Sequence, residues 1–152
     1  MQDYLRIKDK TSSLSSDNEG HQDVISALSN NSLKEKLKNG GWSVDIVGEG
    51  PYRSFLENKV KENGLSDLVK FYGWVDNSSS QMKELYGRAK VFVSASWFEN
   101  MSIVLLEALA SGCIVIASNV GGNPEVITNK NNLFEKGDIE GLSNSSAQVI
   151  TA

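Results

Sequence analysis

Two carboxylates in the segment Ser94 to Gly112 have the type and spacing to do chemistry. Glu107 is flanked by Ile103-Val104-Leu105-Leu106 and Ala108-Leu109-Ala110. An unpaired charge among apolar helical residues is costly, so a hydroxyl or a backbone amide is expected to partner it. Glu99 precedes the expected helix start, close to amides that have no intrahelical acceptor. A carboxylate before a helix and another inside it can face one crevice. Equally, Glu99 can serve only the helix end and Glu107 a buried ion pair, and the residues alone leave both readings open. A second segment, Gly48-Glu49-Gly50-Pro51, can let a phosphate or ribose approach the backbone at a positive helix end, or can serve only a tight turn. It is not the dinucleotide fingerprint, because the third glycine of G-x-G-x-x-G falls on Arg53, which counts against a nicotinamide-dependent dehydrogenase. The lone His21, near a helix start, reads as a solvated or capping residue.

These residues need strands and helices to position them, and the pattern supplies an alternation. Leu5 to Ile7 closes a first short strand, and the polar, Ser-rich stretch 8–20 reads as a flexible loop. From His21 to Asn39 the apolar spacing predicts one helix, stopped at Gly40-Gly41. Trp42 to Val47 reads as a strand, followed by a helix with Pro51 in its first turn that carries Phe55, Leu56 and Val60. Val69 to Tyr72 is expected as a strand, Ser79 to Ala89 as a helix with Met82, Leu85 and Tyr86 on one face, and Val91 to Val93 as a buried strand. Ile103 to Ala110 predicts a helix, Ile114 to Ala117 a strand, Pro124 to Ile127 a short helix, and Asn132 to Phe134 a further strand before an amphipathic tail. Strands alternating with helices call for an α/β fold, a Rossmann-like open parallel sheet with helices on both faces. Ligands of such sheets bind beyond the carboxyl ends of the strands, so the functional residues should follow strands.

The 152 residues fit a single domain, 1–152, with no internal repeat. Apolar residues at 39% and charged residues at 22% exclude a disordered or collagen-like chain. Fifteen Lys and Arg against nineteen Asp and Glu give a net charge of −4, which disfavours a nucleic-acid partner. A single cysteine, Cys113, cannot form an internal disulfide, and no Cys/His cluster has zinc-like spacing. No apolar run reaches a membrane span's length of ~20 residues, and no leader pattern opens the chain, so a cytoplasmic location is expected.

Glu99-x7-Glu107, followed by Gly112-Cys113-Ile114-Val115-Ile116-Ala117-Ser118-Asn119-Val120-Gly121-Gly122-Asn123-Pro124-Glu125-Val126-Ile127, resembles the retaining glycosyltransferases of the GT-B fold that use nucleotide-sugar donors. Those enzymes carry the same order of strand, Glu, loop, helix with a second Glu, strand, and Gly-Gly-x-Pro-Glu turn. The likeness extends back through Val69 to Gly73, Val47 to Pro51 and Gly20 to Asp23, over most of residues 20 to 140.

The resemblance implies one half of a GT-B fold, the donor-binding C-terminal domain, with the N-terminal acceptor domain absent from this chain. It implies transfer of a glycosyl unit from a UDP-, GDP- or ADP-sugar with retention, by a hexosyltransferase of which this part alone binds nucleotide without catalysing. No bound metal or other cofactor is expected. By this resemblance Glu99 faces the transferred sugar as the catalytic carboxylate, and Glu107 accepts from the ribose hydroxyls. The amides of Asn100, Met101, Ser102 and Ile103 face sugar and diphosphate, Gly48 and Gly50 let the backbone approach the phosphates, and Val75 lies beside the base. Two departures stand out. Glu19 occupies the place of a Lys that neutralises the diphosphate, leaving Arg6, Lys8 or Lys10 as cations, and Asn100-Met101-Ser102 replaces residues that are often Gly or Pro. A non-catalytic nucleotide-binding or assembly module, and a domain of a GT-B nucleotide-sugar epimerase, are the alternative readings. Peripheral membrane association of the full-length enzyme is a further partner class open to it.

Overall fold

A computed structural model describes residues 3–8, 18–48, 51–100 and 103–151, with the side chains of residues 3–8 and 18–19 outside the description. Among the described residues the strands are β1 (Asp3–Lys8), β2 (Trp42–Val47), β3 (Val69–Gly73), β4 (Ala89–Ser94), β5 (Ile114–Ser118) and β6 (Leu133–Phe134). They form one all-parallel sheet in the order β3-β2-β1-β4-β5-β6. Among the described residues the α-helices are α1 (Asn18–Leu28), α2 (Asn31–Asn39), α3 (Arg53–Glu62), α4 (Ser80–Arg88), α5 (Ile103–Ala110), α6 (Asn123–Val126) and α7 (Ile139–Thr151).

Alternation along the strands decides which helices go where. Val44, Ile46, Val91, Val93 and Ile116 join a core with Ile25 and Leu28 of α1, Leu33 and Leu37 of α2, Leu56 and Val60 of α3, and Leu142 of α7. Val47, Phe92, Val115 and Ala117 point the other way, onto Met82 and Leu85 of α4 and Leu105 and Ala108 of α5. Both faces are therefore covered, as the continuous apolar runs of β4 and β5 require. The chain winds outward to β3 and then, restarting beside β1, outward to β6. The point of reversal lies between β1 and β4, where open sheets of this kind bind ligands beyond the strand ends.

Four local expectations change. The single helix over 21–39 is two helices, because Asn30 leaves helical geometry and its side chain accepts from the Leu33 N–H at 3.1 Å, capping a new start. The loop expected over 8–20 gives way to helix at Asn18, while residues 9–17 lie outside the described residues. Pro51 falls before its helix rather than in its first turn, since α3 begins at Arg53, and Phe55 is exposed while Leu56 and Val60 are buried. The helix expected to Ala89 ends at Arg88, and Ala89 already belongs to β4. Its start is as expected, with Ser79 accepting from the Met82 N–H at 3.1 Å.

Buried polarity ties the β2–α4 layer together. Asp45, buried within β2, meets the Arg88 guanidinium at 3.1 Å, and Arg88 also donates to the Tyr72 hydroxyl. A charge in that environment is tolerable only when paired.

Candidate functional site

Beyond Ser94 the chain leaves β4 at the reversal point and runs Ala95-Ser96-Trp97-Phe98-Glu99-Asn100 across the carboxyl edge of the sheet. Four contacts fix this segment. At Gly20, in the first turn of α1, an added Cβ would lie 2.5 Å from the Ala95 carbonyl oxygen, so α1 can sit on the end of β4 only with glycine there. The Ser118 hydroxyl, at the end of β5, donates to the Ser96 carbonyl at 2.6 Å. The Trp97 indole donates to Asp23 of α1 at 2.7 Å. The Lys136 ammonium lies 5.9 Å from the Trp97 ring and 4.9 Å from the exposed Phe98 ring.

The Gly121-Gly122 turn fixes the end of the segment. Gly121 has φ +52°, and a Cβ there would fall 1.6 Å from the Glu99 carbonyl oxygen. The next amide, Gly122 N–H, donates to the Asn100 carbonyl at 2.9 Å. The half-buried Glu99 is thus held between β4 and α5, whose first amides lack intrahelical acceptors. Below the turn, Asn123 is fully buried and donates to the Ser118 carbonyl at 3.0 Å, while Pro124 stands at the start of α6.

Glu107 has the expected kind of partner in unexpected surroundings. The Tyr86 hydroxyl of α4 donates to Glu107 Oε2 at 3.1 Å. The residue itself is exposed, because α5 buries Val104, Leu105 and Ala108 and turns Glu107 with Ile103, Leu106 and Leu109 outward. Glu107 is therefore no buried ion pair.

The remaining predicted residues that are described each sit in or just after a strand or at a helix start. Gly48 follows β2, and its N–H donates to the Gly73 carbonyl at 2.8 Å. Val75 is buried just after β3. Ile103 opens α5. Arg6 pairs in register with Asp45 and Phe92, two residues short of the end of β1; its side chain, like that of Glu19, lies outside the described residues. Gly50, Met101 and Ser102 also lie outside them. Among the described residues, no group of three or more His, Cys, Asp or Glu gathers in a way that could hold a metal, and no helix is long and apolar enough to cross a membrane.

Two titratable groups of α1 are shifted. His21 is half-buried rather than freely solvated, and desolvation lowers its pKa to about 4, so the ring is neutral at pH 7. Burial raises the Asp23 carboxyl above its ordinary range, and the Trp97 indole and then the Lys59 ammonium oppose that rise. Sequence reasoning missed Asp23, Trp97, Lys136 and the hydroxyl of Tyr86 as parts of the site. Their contacts join residues far apart in the chain, and Tyr86 carries only the signal of an apolar helix face.

The family model of glycosyl transferases group 1 matches residues 13–152. N-acetyl-alpha-D-glucosaminyl L-malate synthase of Bacillus anthracis is 35% identical over 107 residues, covering 69% of this chain and 27% of that protein. The solved C-terminal domain of a glycosyl transferase group 1 family protein from Francisella tularensis is 26% identical, with TM-score 0.76, covering 99% of this chain and 75% of that one. Anabaena HepE, solved in complex with UDP and glucose, shares the fold at TM-score 0.77 and 21% identity, covering 97% of this chain and 38% of that one. The chain spans about a quarter of the length of the curated relatives it matches.

Proposed function

This chain belongs to the glycosyl transferases group 1 family, with the Rossmann-like fold of GT-B glycosyltransferases, and on that premise we propose that it is the domain that binds the nucleotide-sugar donor of a retaining glycosyltransferase. The observation that supports the reading is the seating of the Glu99 and Asn100 backbone on Gly121-Gly122, after β4 at the sheet's reversal point and ahead of α5 in the chain. In this reading the diphosphate lies against those amides, where the helix end favours an anion, and the ribose hydroxyls donate to Glu107. Glu99 faces the sugar and stabilises positive charge at the anomeric carbon as the diphosphate leaves. Acceptor binding belongs to a partner domain, so the chain alone binds nucleotide without transfer.

Titration of UDP, GDP and ADP against the chain and its Glu107→Ala variant tests the proposal. The expected result is saturable binding by at least one nucleotide, weakened about tenfold or more by the substitution, as fits the loss of a charge-assisted hydrogen bond. Binding that is indifferent to Glu107 removes the ribose assignment.

Glu19 favours a second reading, a nucleotide-binding module without transfer activity, because an anion beside a diphosphate opposes its departure. A Glu19→Lys variant of the whole protein that gains neither donor affinity nor turnover counts against this alternative.

A further inference from the structure

We infer that Tyr86 is the positioning residue of the donor site: its hydroxyl holds the Glu107 carboxylate in the one orientation from which it accepts the nucleotide ribose. The inference rests on the donor reading above and adds a residue from another helix. An exposed glutamate on a helix surface samples several rotamers, and a ligand that needs one of them must bear the cost of selecting it. Glu107 is exposed, yet its Oε2 accepts from Tyr86 at 3.1 Å. The hydrogen-bond donor is itself packed. Tyr86 is 8% exposed, and its ring stacks on Phe92 with centroids 6.3 Å apart and planes at 20°. Phe92, in the middle of β4, is fully buried, so the orientation of Glu107 is referred back to the strand that also leads to Glu99. A carboxylate has about four lone-pair positions, so accepting from a phenol leaves it able to accept from a diol as well. A buried phenol hydroxyl needs some partner in any case. What makes this one functional is that it spends its hydrogen bond on an exposed carboxylate of the neighbouring helix.

The test is calorimetric titration of UDP, GDP and ADP, each beside its 2′,3′-dideoxy counterpart, into the chain and its Tyr86→Phe, Glu107→Gln and doubly substituted variants. Tyr86→Phe keeps the ring and its stacking while removing the hydroxyl. It is expected to weaken the ribonucleotide about fivefold, the cost of immobilising one rotamer-rich side chain, and to leave the dideoxynucleotide unchanged. The double variant is expected to bind no more weakly than Glu107→Gln alone. Equal losses for both nucleotides, additive losses in the double variant, or no loss at all would each overturn the inference. If Glu107→Gln affects ribonucleotide binding and Tyr86→Phe does not, positioning fails and the ribose assignment stands; if Glu107→Gln is without effect, both fail. A measurement without ligand backs the titration. Side-chain couplings of Glu107 in the free protein should report one χ1 rotamer and become averaged in Tyr86→Phe, and averaged couplings in the unsubstituted chain would overturn the inference.

Discussion

Replacing Gly121 by alanine tests whether the Gly121-Gly122 turn is the seat of the Glu99 loop. The substitution has two separable effects. At φ +52° an alanine costs about 1 kcal/mol in backbone strain alone. The new Cβ also lands 1.6 Å from the Glu99 carbonyl oxygen and 2.6 Å from its carbon, and real contacts do not fall below 3.0 Å, so backbone must move. That movement opens the Gly122 to Asn100 hydrogen bond, worth roughly 1 kcal/mol, and displaces Glu99 and the approach to α5. The combined loss is about 2–4 kcal/mol, or roughly 5–10 °C in melting temperature for a domain of this size. Gly112→Ala is the control, since it has φ +85° and nothing within 4 Å of an added Cβ. It should lose only about 1 kcal/mol, with nucleotide affinity intact. Thermal unfolding followed by circular dichroism, with nucleotide titration on both variants, separates the two effects. Gly121→Ala is expected to lose about tenfold or more in affinity, since displacement of a binding group by an ångström is costly. If both variants melt together and bind nucleotide equally, the steric argument for the loop's placement is refuted.

Two further outcomes concern ionisable groups shielded from water. Because His21 titrates near 4 in the folded chain and near 6.5 when unfolded, the unfolded state binds more protons between those values. Its contribution to stability is complete above pH 6.5 and declines by up to about 3 kcal/mol as pH falls to 4; denaturant titrations at a series of pH values should show a shallower decline in His21→Gln. Arg88→Met leaves Asp45 buried beside an apolar side chain and should cost about 3 kcal/mol, of which adding Asp45→Asn recovers a substantial part; a double variant less stable than Arg88→Met would contradict the pairing.

The alternating pattern was legible because strands covered on both faces must be apolar throughout and amphipathic helices must repeat on one side. Val91 to Val93, Ile114 to Ala117 and the apolar face of α4 were all readable on that ground. The break at Asn30 was not, because the spacing of Leu28 and Leu33 fits one bent helix or two capped ones, and only the side-chain cap decides. His21 misled for a related reason. A polar residue at a helix start is ordinarily solvated, and its burial here depends on what packs against the first turn of α1.

The candidate site divides along the same line. By itself the amino-acid sequence determined the family, the α/β alternation and the two glutamates, since these depend on residue type and order along the chain. It also placed Glu99 after a strand and Glu107 within a helix, which confines each to a known end of its element. Only the tertiary structure decided that Glu107 is exposed and held by Tyr86, that Trp97 meets Asp23, and that Glu99 rests on Gly121. Each of those contacts joins residues from separate parts of the chain. Their geometry is set by strand order and register, which bring distant residues within hydrogen-bonding range and leave no periodic trace in the chain.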